Sequence, residues 1–463
     1  MSLIGRLIDK LITRGSITLF TPGKAPRTYG PGDGQHLTVR FTDRRVAFDI
    51  MRNPRLGFGE AYMDGRLIVG ANRWEDWGEG RKVLAKRKLS KRLKQLVLDN
   101  NLKRARKNVA HHYDLSDALY ELFLDTDKQY SCAYWTDPEH ETLEQAQLDK
   151  KAHIAAKLAL QPGQRVLDIG CGWGGMALFL HKVAGVDVLG VTLSEHQLKI
   201  ARERAAAAGV SDHVKFELRD YRLLEEQFDR IVSVGMFEHV GAKHYDEFFA
   251  KCRQLLKPDG VMLLHTIGKL GDVSTGPDPF TDKYIFPGYH LPSLSEMVTA
   301  SQKVRLIASD VENLRLHYAY TLRHWLERAT HAREAIEAMY DERFFRLWEF
   351  YLAGGIVMFE NGAACNYQVQ YIRERTALPI TRDYMAEAEA RYRKVGAEPT
   401  AAKKPSAKRS RACTGNGMLV FRRRYSVATV APSALRVTTL STAMSSTSER
   451  NIMTNSSPSA ASC

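Results

Sequence analysis

The 463-residue sequence predicts an α/β fold with a parallel sheet, a small α+β domain before it and a disordered tail after it. Three observations carry this. From Arg165, short apolar runs alternate with helix-length segments, the order that builds a parallel sheet. The first of these runs breaks into glycines, "RVLDIGCGWGG", before a helical pattern resumes. After about Ala397 the composition changes to Lys, Ser, Ala and Thr, which cannot bury a core.

The elements follow in order. Leu3, Ile4, Leu7, Ile8 and Leu11 form an apolar stripe beside Arg6, Lys10 and Arg14, suited to a membrane surface or to packing on the chain's own domain. Residues 16 to 70 alternate β-like runs, "SITLF", "LTVRF" and "RLIVG", with the turns "TPGKAP" and "YGPGDG". A basic block links these to a largely helical segment, 108 to 160, rich in His and Tyr. The core then reads strand 165–169, helix near 175–184, strand 187–193, helix 195–208, strands 214–218 and 229–235, helix 244–256 and strand 261–267. The domains are accordingly placed at 1–95, 96–397 and 398–463.

Hydrophobic residues make up 44% and charged residues 26% of the chain, and no apolar run reaches the ~18 residues that span a bilayer. The charged start is not a secretory signal. Six scattered cysteines without metal-ligand spacing point to free thiols in a reducing compartment and to no metal site. The net charge of +14 is uneven. Residues 403–463 hold ten Lys or Arg against Glu449, and residues 81–107 hold twelve against Asp99, so the remainder is slightly acidic.

A basic block has three readings: a solvated helix face, a nucleic-acid patch or an anionic membrane patch. No nucleic-acid-binding signature accompanies this one, and no nucleic-acid partner is expected. Leu84, Leu89, Leu93, Leu96 and Leu98 thread through its charges, which suits a membrane surface.

Glycines 170, 172, 174 and 175 permit positive φ and let a ligand approach the main chain. In doubly wound folds the first such turn usually binds a nucleotide-like ligand. A dehydrogenase would carry an acid about 20 positions on, at the end of the second strand. Here that strand ends "GVTLSEHQ", offering Thr192, Ser194 and Gln197 instead.

Taken in order and spacing, "YSCAYW", "VLDIGCGWGG", "GVTLSEHQ", "FEHVG", "LLHTIG" and "YIFPGYHLPS" resemble the cyclopropane-fatty-acyl-phospholipid synthases and their mycolic-acid relatives. The resemblance covers roughly residues 100 to 390, and the first 90 residues are similar to the extra domain of the phospholipid-acting members. It implies a Rossmann-like class I methyltransferase core with a mostly parallel seven-stranded sheet, and S-adenosylmethionine as cofactor. By the same resemblance Gly170, Gly172 and Gly174 lie against its methionine part and ribose, with Asp168 in the same set. Thr192 and Gln197 replace the usual acid, Tyr130 and Ser131 close over the cofactor, and Asp220 and Tyr221 sit near the adenine.

Cyclopropanation of a cis alkene by methyl transfer leaves positive charge on the chain, and a proton must then leave the new methyl group. Fixed negative charge or ring faces in a dry pocket would stabilise that cation. The resemblance implies a bound bicarbonate as proton acceptor, oriented by Glu238 and His265, with the Ile267 and Cys132 main chains and the Tyr318 hydroxyl hydrogen-bonding to it. Read singly, Glu238 could serve a helix cap and His265 the core. Where relatives often carry a cysteine after "YL", this chain has Gly355; Cys365 lies ten residues on. That raises a sister activity, methylation without ring closure. A lipid-binding protein with a decayed site is the reading from another class, which the presence of Asp168, Glu238, His265 and Tyr318 opposes. The partners expected are a phospholipid with an unsaturated acyl chain and the anionic inner face of the membrane, approached from the cytoplasm as a peripheral protein; a homodimer is left open.

Overall fold

The computed structural model describes residues 12–70, 115–271, 278–362 and 364–398, together with Asp9. The first residues, the basic block at 81–107, the expected domain boundary near 95 and the tail after 398 lie outside them. Within the unit Met1–Lys404 there are two sheets.

The smaller sheet holds β1 (Ser16–Phe20), β2 (Arg27–Tyr29), β3 (His36–Phe41) and β4 (Leu67–Gly70), in the order β2-β1-β3-β4. Helices α1 (Arg45–Arg52) and α2 (Pro54–Met63) cover it, enclosing Leu19, Phe41, Val46, Ala61 and Leu67. The Asn53 side chain caps α2, with Pro54 in its first turn, where a missing N–H costs nothing. This agrees with the α+β reading of residues 16–70.

Next come α3 (Asp117–Phe123) and α4 (Leu143–Lys157), then the alternating core: β5 (Arg165–Ile169), α5 (Gly175–Ala184), β6 (Asp187–Thr192), α6 (Glu195–Ala207), β7 (Val214–Leu218), β8 (Phe228–Val234), α7 (Tyr245–Leu255) and β9 (Leu256–Lys269). After them lie α8 (Pro279–Tyr284), α9 (Leu294–Lys303), β10 (Ile307–Asn313), α10 (His317–His331), α11 (Arg333–Met339), α12 (Glu342–Asn361), β11 (Ala364–Ile372) and α13 (Asp383–Ala397).

The second sheet runs β10-β11-β9-β8-β5-β6-β7. Pairs from β7 to β9 are parallel, while β11 and β10 add antiparallel to the β9 edge. It is therefore the expected mostly parallel seven-stranded sheet, of Rossmann-like form. The apolar run at β5 has the expected cause: Val166, Leu167 and Ile169 are all buried, on a strand covered on both faces. Strand order reverses beside β5, which leaves a crevice at the carboxyl ends of β5 and β8.

The smaller sheet's helices meet the core through α2. Tyr62 Oη donates to Glu349 Oε2 at 2.5 Å, Lys283 Nζ to Glu60 Oε1 at 2.6 Å, and Arg343 pairs with Asp64 at 2.8 Å. Gly59 has no room for a side chain; a Cβ there would stand 2.5 Å from the Phe280 ring and 2.8 Å from that of Phe350.

Candidate active site

A cavity of about 1310 Å³, open solvent at its mouth included, occupies the crevice at the strand ends. Four strands feed it: β5 through Asp168 to Trp173, β6 through Val191 to Leu193, β7 through Arg219 to Arg222, and β8 through Val234 to Met236. The fifth wall is the segment Lys128–Ser131 between α3 and α4.

The glycine turn forms the floor. Gly170 and Gly172 take φ of 82° and 53°, left-handed values at which a side chain is strained. A Cβ on Gly172 would meet nothing within 4 Å, so the main chain faces open space. Gly174 differs from expectation and does not line the cavity. A Cβ there would sit 2.6 Å from Phe216 and 3.1 Å from Ala201, so this glycine lets α5 start against β7 and α6 rather than touching a ligand. Gly175 lines the cavity instead, and a Cβ on it would strike the side chains of Gln129 and Asp127.

Asp168 ends β5 with Oδ2 buried and without a hydrogen-bond partner. Burial pushes its carboxyl up to about 7, with the Lys150 charge acting the other way. A buried acceptor open to a cavity suits the ammonium group of a methionine-type ligand. On β6 the Thr192 hydroxyl lies 3.2 Å from Gln197 Oε1 and accepts the Ser194 N–H at 3.2 Å, while Ser194 caps α6. Two polar side chains are thus fixed at a strand tip where an acid was lacking. Asp220 is held by Arg222, which donates from Nε and a terminal nitrogen at 2.9 and 2.8 Å. Tyr221 beside it lines the same wall. Nine of the ten residues expected to hold the cofactor therefore line one cavity, and its donor set fits S-adenosylmethionine.

Above the floor, Tyr130 stacks on Trp325 at 5.2 Å and lies edge-on to Tyr120 at 5.3 Å. Its hydroxyl is 3.3 Å from that of Tyr351. Tyr318 packs in the same aromatic cluster, 5.8 Å from Trp325 and 4.8 Å from Phe359 between ring centres. Cys132 and Ile267 join it. Burial pushes the Cys132 thiol far up, so it stays protonated.

The five residues expected around a proton acceptor do not line the cavity themselves. Two of them adjoin lining residues in the chain: Cys132 follows Ser131, and Glu238 precedes His239. Glu238 lies in a 3-10 turn, Phe237–His239, where its Oε1 accepts the Ile267 N–H at 2.6 Å. Its Oε2 is buried without a partner, and burial raises the carboxyl to about 7. His265, two residues before Ile267 on the same face of β9, lies between the amides of Asn366 and Gln368, 3.0 Å from Nε2 and 3.1 Å from Nδ1. Burial drives its pKa well down, so the ring is neutral with a single N–H. One amide therefore donates to it and the other accepts.

Two residues escaped the sequence reading. His239 lines the cavity, with burial pushing it down to about 4; its only signal was its place in "FEHVG". Lys150, fully buried on α4, supports the Gln129–Ser131 wall and gave no signal at all. At Gly355, on α12, a Cβ would meet Leu322 at 3.0 Å. Cys365 packs in another core, with Leu264 and Val369, and takes no part in the aromatic cluster.

Residues 100–369 match the mycolic acid cyclopropane synthetase family. The cyclopropane-fatty-acyl-phospholipid synthase of Escherichia coli K12 is 43% identical over 355 residues, 75% of this chain and 87% of that protein. A probable fatty acid methyltransferase of Pseudomonas putida is 41% identical over 289 residues, 60% of this chain and 73% of that protein. The crystal structure of mycolic acid cyclopropane synthase CmaA1 complexed with SAH and CTAB superposes with a TM-score of 0.55 at 35% identity, covering 57% of this chain and 97% of that one.

Proposed function

The chain belongs to the mycolic acid cyclopropane synthetase family, and from that premise we propose that it bridges the cis double bond of unsaturated acyl chains in membrane phospholipids with a methylene group. It is an S-adenosylmethionine-dependent methyltransferase. One observation carries the choice of substrate: the match to the E. coli phospholipid synthase is longer than the family match at 100–369, so it runs beyond the catalytic core.

S-adenosylmethionine, when bound, supplies a methyl group activated by a sulfonium. Asp168 accepts from its ammonium group, Thr192 and Gln197 take the ribose, Asp220 and Tyr221 border the adenine, and Tyr130 and Ser131 cover it. Positive charge on the acyl chain is stabilised by the ring faces of the aromatic cluster beside Tyr130. Water is scarce there, which strengthens each electrostatic contact.

A bicarbonate is the proton acceptor in this reading. Glu238 Oε2 accepts its hydroxyl, and the Tyr318 hydroxyl and His265, the latter on exchanging one of its two amide partners, orient it, with the Cys132 and Ile267 main chains close by. The support is the buried, unpartnered Oε2 of Glu238. Binding of such an anion would compete with Glu238 for the Ile267 N–H.

The enzyme works as a peripheral protein on the inner membrane face. Among the described residues no helix is long and apolar enough to cross a membrane, and the basic block at 81–107 offers the charge for an anionic surface. Expression in a host lacking cyclopropane lipids tests the proposal: phospholipid acyl chains one CH2 heavier are expected, and unchanged lipids would refute it. A second reading, methylation without ring closure, is favoured by the P. putida relative's name and adds the same mass.

A further inference from the structure

Lys150 is fully buried in the middle of α4. Its ammonium donates to Gln129 Oε1 at 2.6 Å and to Ser131 Oγ at 2.9 Å, two neutral acceptors. Among the described residues no carboxylate lies within ion-pair distance of it. The other lysines of the helix's interior face are matched: Lys151 pairs with Asp127 at 2.5 Å and Lys157 with Glu312. Burial draws the Lys150 ammonium down to about 7, with the Asp125 and Asp127 carboxylates, beyond pairing distance, opposing the fall, so an anion reaching this end of the helix would favour the charged form.

The geometry gives that charge a direction. Gln129 and Ser131 both line the cavity. Gln147, one turn before Lys150, donates to the carbonyls of both at 3.2 and 2.9 Å, so the wall is fixed from behind by two side chains of one helix. One N–H of the Gln129 amide is given to Asp127 at 3.0 Å, while the Ser131 hydroxyl, touched directly by the ammonium, is the donor nearest the charge that faces the cavity. Because Ser131 Oγ accepts from an ammonium, its own proton is polarised and free to donate elsewhere. The Lys150 charge also acts on Asp168, Cys132 and His265, as it does on Asp125.

We propose that Lys150 is a positioning residue whose charge, relayed through the Ser131 hydroxyl, holds an anionic carboxyl group of a bound ligand against the Gln129–Ser131 wall. This rests on the S-adenosylmethionine reading of the cavity. Two ligands carry such a group, the cofactor through its methionine carboxylate and bicarbonate itself.

The test uses S-adenosylhomocysteine, its analogue lacking the carboxylate, and bicarbonate titrated into carbonate-depleted buffer. These are applied to the full chain and to its Lys150→Met, Lys150→Gln and Ser131→Ala variants. A loss of S-adenosylhomocysteine affinity of about tenfold or more by calorimetry, with the analogue binding all four proteins alike, assigns the contact to the cofactor carboxylate. Unchanged affinity with about a tenfold rise in the bicarbonate needed for half-maximal rate assigns it to bicarbonate. Ser131→Ala removes only a hydroxyl and keeps the test decisive if the Lys150 variants fail to fold. Equal affinity and equal bicarbonate dependence in the folded variants overturn the proposal. Failure of the unaltered chain to bind S-adenosylhomocysteine overturns the cofactor reading instead.

Discussion

Glu238 Oε1 stands 2.6 Å from the main-chain nitrogen of Ile267 and accepts its N–H. The contact ties the 3-10 turn after β8 to β9 and leaves Oε2 buried with no partner. A carboxyl raised to about 7 by burial is poised for proton traffic near neutrality.

Glu238→Gln keeps the size of the side chain and an oxygen for Ile267, but removes the charge. Turnover on lipid vesicles should fall by about 10²- to 10⁴-fold. Affinity for S-adenosylhomocysteine, measured by calorimetry, should stay within about twofold, because the loss falls on an interaction made in the transition state. Normal turnover would remove Glu238 from the base site.

Gly172→Val puts a branched side chain at φ of 53°, pointing into open cavity. Cofactor binding should vanish while circular dichroism stays that of a folded protein. Gly174→Val, in contrast, should lower Tm, since its Cβ would collide with Phe216 and Ala201.

Asp168 titrates near 7 in the free protein because burial opposes its charge. A cationic ammonium group favours the ionised form, so binding expels a proton. Affinity should therefore weaken as pH falls below about 7, approaching tenfold per unit. Asp168→Asn should bind more weakly at pH 8 and lose this acid-side dependence, as read by calorimetry from pH 6 to 8.

Glu312 lies 2.7 Å from His153 and also pairs with Lys157. Burial works against its charge, but these partners hold it down to about 2. Its contribution is present above its ordinary pKa of 4.5 and is lost as pH falls from there towards 2. His153 is raised above 6.5 by Glu312 and Glu389, against the effect of burial, so its share is full below 6.5 and fades at higher pH. Glu312→Gln should cost about 2–3 kcal/mol, with the largest Tm difference from the unaltered protein between pH 4.5 and 6.5. A difference that grew towards pH 2 would contradict this.

Strands β5, β6, β8 and β9 were legible because a strand buried on both faces must be apolar, as Val166, Leu167, Ile231 and Leu263 are. Strand β11 hides the same burial behind polar letters. Asn366, Gln368 and Gln370 are all buried, and they are tolerated because their amides meet His265, the Lys157 carbonyl and the Tyr384 hydroxyl. The glycine turn announced a ligand but not which glycine touches it, since Gly174 serves packing that no local pattern records. Lys150 was invisible for a similar reason. In "LEQAQLDKKAHIAAK" charged residues suggest a solvated face, whereas the fold buries most of the helix.

The most direct measurement is proton NMR of phospholipids from a host lacking cyclopropane lipids, after expression of the full chain. The upfield ring protons of a cis-cyclopropane are expected, at the expense of cis-alkene signals. They should be absent in cells expressing the Glu238→Gln chain. Vinylic or branched methyl signals in their place, or no change in the acyl chains, would contradict cyclopropanation.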